Sequence, residues 1–216
     1  MSPQEWEAAR QQLLVKEKAL TRSRDALAAE RRRMPWLAVD QKYEFDGPQG
    51  KVSLLDLFEG RRQLILYRAF FEPGVCGWPE HACRGCSLGA DQVAHLAHLN
   101  ARDTTLAYGS RAPQADIARL KARMGWAMPW YTITDGFDGD FGVDEWHGHN
   151  VFFHDGERVF RTYFINDRGD GNHLELPRPH AAQPPGDVGG LARGLPPDAA
   201  VQVVELARQL QRRSLA

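Results

Sequence analysis

Arg62-Gln-Leu-Ile-Leu-Tyr-Arg-Ala-Phe-Phe71 leads through a loop bearing Gly and Pro into Cys83-Arg-Gly-Cys86-Ser87. The first run is apolar on consecutive positions, which suits a strand buried on both faces in the middle of a sheet. The second opens a helical stretch predicted over 87–100. Outward from this junction the same alternation repeats. Thr104-Thr-Leu-Ala-Tyr-Gly109 reads as a second buried strand, and Ser110-Arg-Ala-Pro-Gln-Ala-Asp starts a helix that runs to Met124 and stops at Gly125. Trp130-Tyr-Thr-Ile-Thr is a third strand. Val151-Phe-Phe-His and Arg158–Ile165 flank Asp155-Gly156, a strong hairpin signal. Upstream, Lys42–Val52 reads as a small hairpin and Ser53–Phe58 as a helical turn capped by Ser53. Strands alternating with helices imply right-handed crossovers and a mainly parallel sheet. The closing hairpin makes the sheet mixed, so the expected class is α/β with helices on both sides.

The chain has 216 residues, 27 Lys+Arg against 28 Asp+Glu, and 43% hydrophobic residues. That balance excludes a disordered, collagen-like or disulfide-dense chain, and it supplies no basic footprint for nucleic acid. No segment approaches the roughly 18 apolar residues that cross a bilayer. The first twenty residues are charged throughout and lack the apolar centre of a secretory signal, so a cytoplasmic location is expected.

Residues 1–34 form an N-terminal arm, with one charged helix from residue 4 to about 33. Trp6, Leu13, Leu20 and Leu27 recur every seventh position. The stripe is narrow, because Lys16, Ser23 and Glu30 occupy the positions that would widen it into a coiled-coil seam. The arm is expected to pack on its own body or to serve a homodimer.

Cys76, Cys83 and Cys86 are the three cysteines of the chain. In a reducing compartment such a cluster is catalytic or metal-binding more often than a structural staple. Two intervening residues let Cys83 and Cys86 close a disulfide across the first turn of a helix. Unpaired N–H groups and the positive dipole end there favour a thiolate on Cys83, and Arg84 adds a charge beside it. Cys83 is then the nucleophile and Cys86 the resolving thiol. A metal reading competes: Cys76, His81, Cys83 and Cys86 could make a zinc set of three Cys and one His. Structural zinc sites draw on two well-separated knuckles, whereas these four residues share one loop. An inert buried pair is the third reading, and Cys76 is either a loop cysteine or a third thiol.

Other residues could surround the junction. In an open α/β sheet the functional crevice lies at the carboxyl ends of the strands, where Arg111 follows the second one. Arg111 could steady a thiolate or an anionic substrate. Trp126 and Trp130, with Met128 and Pro129, form an apolar cluster suited to core packing or to a floor beside a disulfide. His147 and His149 are expected in a loop before the hairpin, where either could shuttle protons.

With these residues in view, the chain resembles the bacterial family catalogued as domain of unknown function 899. The resemblance runs from about Glu5 to Asp170. It is carried by Glu5-Trp6, Met34-Pro35-Trp36, Tyr43-Glu-Phe-Asp, Cys83-Arg-Gly-Cys86-Ser87, Ser110-Arg-Ala-Pro113, Met124-Gly-Trp126 with Pro129-Trp130, and Asp140-Phe-Gly-Val143. It implies a thioredoxin-like domain over 35–171, with elements ordered as in peroxiredoxins. The implied activity is dithiol–disulfide exchange at Cys83 and Cys86, on a thiol or disulfide substrate, with no cofactor beyond the cysteine pair. Two departures stand out. No proline occurs in Trp146-His-Gly-His-Asn150, where thioredoxins place a cis-proline. The Trp-Cys-Gly-Pro-Cys loop of thioredoxins is also replaced, with Arg84-Gly85 in the middle and Trp78 the nearby tryptophan. Against a peroxidase role, the Pro-x-x-x-Thr-x-x-Cys frame that positions peroxide is missing, since no threonine lies between Pro79 and Cys83. The alternative to an enzyme is a non-catalytic thioredoxin-like interaction protein, with zinc or an inert pair in the loop.

Residues 172–216 diverge and are expected to be a frameshifted tail. Resembling sequences carry Tyr-Lys-Trp-Trp-Asn-Trp-His-Asp late in the chain. Its codons, read one base earlier after a G, give Val-Gln-Val-Val-Glu-Leu-Ala-Arg, which is residues 201–208 here. The same shift turns an earlier family segment into Leu174-Glu-Leu-Pro-Arg-Pro.

Overall fold

The computed structural model describes residues 1–93, 95–143 and 147–166; the divergent tail lies outside the described residues. The described residues divide into two compact units, Met1–Pro35 and 36–166. In the first, helix α1 spans Pro3–Arg31. Its start is set by a reciprocal cap: the Glu5 N–H donates to Ser2 Oγ at 3.2 Å, and the Ser2 N–H donates to Glu5 Oε2 at 2.6 Å. Pro3, which has no N–H to leave unpaired, sits in the first turn. Trp6, Leu13, Leu20 and Leu27 are all exposed.

In the second unit eight strands form one sheet. They are β1 (Leu37–Val39), β2 (Glu44–Gly47), β3 (Gly50–Ser53), β4 (Gln63–Arg68), β5 (Thr104–Ser110), β6 (Trp130–Ile133), β7 (Gly148–Asp155) and β8 (Arg158–Asn166). Their order is β1-β8-β7-β4-β5-β6-β2-β3. Strands β4, β5 and β6 run parallel, while β7 pairs antiparallel with β4, and β8 with β7. Helices α2 (Arg84–Asp91), α3 (Ala97–Asn100), α4 (Gln114–Met124) and α5 (Phe137–Asp140) complete the unit. A central strand feeding the CxxC helix, a parallel neighbour on one side and an antiparallel hairpin on the other make this a thioredoxin-like fold. Strands β2 and β3, added beyond β6, give the element order of peroxiredoxins.

Every residue of β4 and β5 is buried, as the unbroken apolar runs require. Alternate residues feed two cores. Ile65, Tyr67, Leu106 and Tyr108 join Cys86, Trp126 and Trp130 on one face. Leu64, Leu66, Ala107 and Phe152 join Phe137 and Phe141 on the other. Each Leu, Ile or Phe side chain among them contributes about 1.5–3 kcal/mol on burial.

Two sequence expectations change, and one strand has no counterpart among them. The single helix over 87–100 is two pieces, α2 and α3, with Gln92 and Val93 closing α2 in tight turns on Gly89 and Ala90. Gly89 and the β-branched Val93 are poor helix formers. A straight continuation would also turn Ala97 toward the core, whereas Leu96 and Leu99 pack there. The loop expected to hold His149 is instead the start of β7, with His149 in register with Tyr67. Strand β1, three residues with little burial, gave no periodic signal. Among the described residues no helix is long and apolar enough to cross a membrane.

Candidate active site at the Cys83–Cys86 turn

Strand β4 ends at Arg68, and the chain crosses a loop before Cys83 caps helix α2 with φ −55° and ψ 120°. Ser87 closes the first turn, its N–H and its hydroxyl both donating to the Cys83 carbonyl, at 3.0 and 2.9 Å. One turn of helix therefore places Cys83 at the half-buried rim and Cys86 beneath it, 1% exposed, against the core. Both are free thiols.

The two sulfurs differ in acidity. Cys83 is pulled down to about 5, first by the hydrogen bond from the Cys86 thiol, then by the N–H groups of Cys86 and Gly85 and by His147, against the opposing effect of burial. Cys86 is pushed far up, because it shares its proton with Cys83 and because it is buried. Two donors work against that rise: the Tyr67 hydroxyl at 3.3 Å from Sγ and the Phe70 N–H at 3.2 Å.

Beneath α2 lies an aromatic cluster in which Phe71 meets Trp78, Trp126 and Trp130 at ring separations of 5.5, 6.4 and 5.0 Å. Each indole N–H is satisfied, as buried tryptophans require. Trp126 donates to Asp91 at 2.8 Å, Trp130 to Ser110 at 3.0 Å and Trp78 to Asp116 at 3.3 Å. Trp126 and Trp130 are buried, so they are the packing beneath the helix and not an open floor for substrate.

Arg84 is the first helical residue and is exposed; the charge that acts on Cys83 comes from His147. Arg111 donates to Asp138 at 3.0 Å and to the Asp135 carbonyl, and so belongs to a buried charge network. His149 lies against the Tyr67 ring at 4.5 Å. Cys76 is exposed at a positive φ of 51°. Among the described residues no three His, Cys, Asp or Glu side chains are gathered to hold a metal, so the set Cys76, His81, Cys83 and Cys86 is not assembled. The cis-prolyl bond found among the described residues is Trp78–Pro79, inside the cysteine loop.

Sequence reasoning missed Tyr67, the Phe70 N–H and the pairing of Arg68 with Asp138. The available signal was a phenol and a guanidinium inside an otherwise apolar central strand. Buried polar tips of that kind need partners, and the partners mark a built site.

Among solved structures, peroxidoxin BcpB from Mycobacterium tuberculosis is 14% identical over 66% of this chain and 95% of its own, with a TM-score of 0.42. Peroxiredoxin Q from Xanthomonas campestris is 13% identical over 62% and 85%, also at 0.42. StoA from Bacillus subtilis is 12% identical over 60% and 90%, at 0.41. No curated protein matches the chain. The model of a family described as bacterial protein of unknown function, DUF899, matches residues 1–176, and the chain belongs to that family.

Proposed function

We propose that the protein is a thiol–disulfide oxidoreductase that cycles Cys83 and Cys86 between dithiol and disulfide. One observation carries this reading: a single helical turn holds an acidic, half-exposed thiol above a buried thiol of raised pKa. A nucleophile has to meet substrate, and a resolving group has to wait out of reach. The Cys83 thiolate attacks one sulfur of a substrate disulfide, and that S–S bond breaks to release the other half as a thiolate. Cys86 then attacks Cys83 Sγ, closing the Cys83–Cys86 bond and releasing the second substrate half. The pair loses two electrons, the substrate gains them, and the Cys86 proton ends on a departing thiolate. A thiol reductant resets the pair. The substrate is a protein or small-molecule disulfide, and the expected setting is the reducing cytoplasm.

The test equilibrates the full chain in glutathione buffers of graded potential and counts free thiols by mass spectrometry after alkylation. Loss of two thiols together, abolished in Cys83→Ser, is the expected result. A pair that stays reduced in oxidised glutathione, or stoichiometric zinc by metal analysis, overturns the reading in favour of a non-catalytic protein.

A further inference from the structure

Resting on that reading, we propose that the Tyr67 hydroxyl and the Ala69–Phe70 peptide form a thiolate-holding pocket for Cys86, making Tyr67 a catalytic residue of the resolving step. The geometry is specific. Tyr67 Oη and Phe70 N both donate to Cys86 Sγ, at 3.3 and 3.2 Å, in a part of the core where Cys86 and Tyr67 are almost fully buried. The peptide that supplies the Phe70 N–H has its carbonyl oxygen on Ala69. That oxygen accepts a 2.7 Å bond from Nη1 of the buried Arg68. A cation on the oxygen side of a peptide polarises its N–H, so Arg68 acts through this unit as a positioning residue.

In the resting dithiol these donors are held in check, because the Cys86 S–H keeps its proton and donates a hydrogen bond to the Cys83 thiolate. Once Cys83 is tied up in a mixed disulfide its negative charge is gone, and the Cys86 S–H has no anion to face. Both donors then favour ionisation of Cys86, so that the charge moves from the rim sulfur to the buried one when the buried one must attack. The Cys86 proton leaves to the departing substrate thiolate, while Tyr67 keeps its own proton throughout. In the reverse direction the same pocket receives Cys86 as leaving thiolate when a substrate thiol attacks Cys83. Buried donors aimed at a developing charge act more strongly than they would in water.

The test uses full-length Cys76→Ser protein, so that only the pair reacts, mixed with less than one equivalent of DTNB. The first nitrothiophenolate reports attack by Cys83 and the second reports resolution by Cys86. Tyr67→Phe is expected to leave the first release within about twofold of the parent. It should slow the second on the order of tenfold and move its pH midpoint upward, the size expected for one donor to a charged group. Replacing Tyr67 by 3-fluorotyrosine, a stronger donor of nearly the same shape, should speed the second release, and it decides the matter if Tyr67→Phe does not fold. An unchanged second release in these variants, or equal slowing of both releases, overturns the pocket. Absence of either release in the parent overturns the oxidoreductase reading instead.

Discussion

The Arg68 guanidinium reaches the same Asp138 oxygen twice, from Nε at 3.2 Å and from Nη2 at 3.1 Å, with both side chains sealed from solvent. Arg111 reaches that oxygen from the rim at 3.0 Å. An Arg at the end of a central strand is tolerable because this carboxylate meets it, with Glu72 taking a further donor at 3.0 Å.

Asp138→Ala leaves the Arg68 charge buried without its main partner. The expected loss is about 3–5 kcal/mol, read from urea unfolding of the full chain. The double change Arg68→Met with Asp138→Leu removes both charges and is expected to cost less than the single one.

Cys83 alkylation by iodoacetamide follows the thiolate fraction, so its rate should reach half its plateau near pH 5, well below the ordinary thiol value of about 8.5. Cys83 ionises more readily folded than unfolded, so its contribution to stability is fully present above about pH 8.5 and is lost as pH falls through about 5. The melting-temperature gap between reduced wild type and Cys83→Ser should therefore shrink on acidification from pH 8 to pH 5. Cys86 acts in the opposite sense, but only above the ordinary thiol range, outside this window.

The largest pull on Cys83 is the thiol of Cys86. Cys86→Ala should raise the alkylation midpoint by roughly one pH unit or more, whereas Arg84→Gln should leave it nearly unchanged. A large effect of Arg84→Gln on alkylation would return that side chain to the site.

These two residues mark how far the sequence could be read. The CxxC spacing after an apolar run was enough to place one thiol at a helix start and the other inside, because both follow from local helix geometry. The parallel order of β4, β5 and β6 was equally legible from Arg62–Phe71, Thr104–Gly109 and Trp130–Thr134. What neighbours the sulfurs was not. His149 joins the ladder through its pairing with Tyr67, and Arg111 turns to Asp138, both contacts between residues far apart in the chain. Leu96 and Leu99 pack on the core from a second helical piece, a tertiary contact that the local sequence does not specify.

Deleting residues 1–33 should move one of two measurements. Mass by light scattering falls if the exposed stripe of Trp6, Leu13, Leu20 and Leu27 meets a second copy. The melting temperature falls if it packs on its own chain. If neither changes, both expectations for the arm fail.

Resequencing the gene is expected to show that the out-of-frame reading after about Gly171 encodes a segment rich in Trp and Tyr. An out-of-frame reading without such a segment would make 172–216 a genuine divergent terminus.

Strand β4 carries Tyr67 and Arg68 side by side, one toward the sulfur and the other toward Asp138. All six of its residues are buried, so hydrophobicity by itself would accept a slide of the strand by one position. Such a slide would present the guanidinium to Cys86 and strand the phenol among the phenylalanines of the opposite face. A one-residue insertion or deletion within Gln63–Arg68 would therefore exchange the two faces of the strand beyond it. In this protein the phase of one strand carries chemical information.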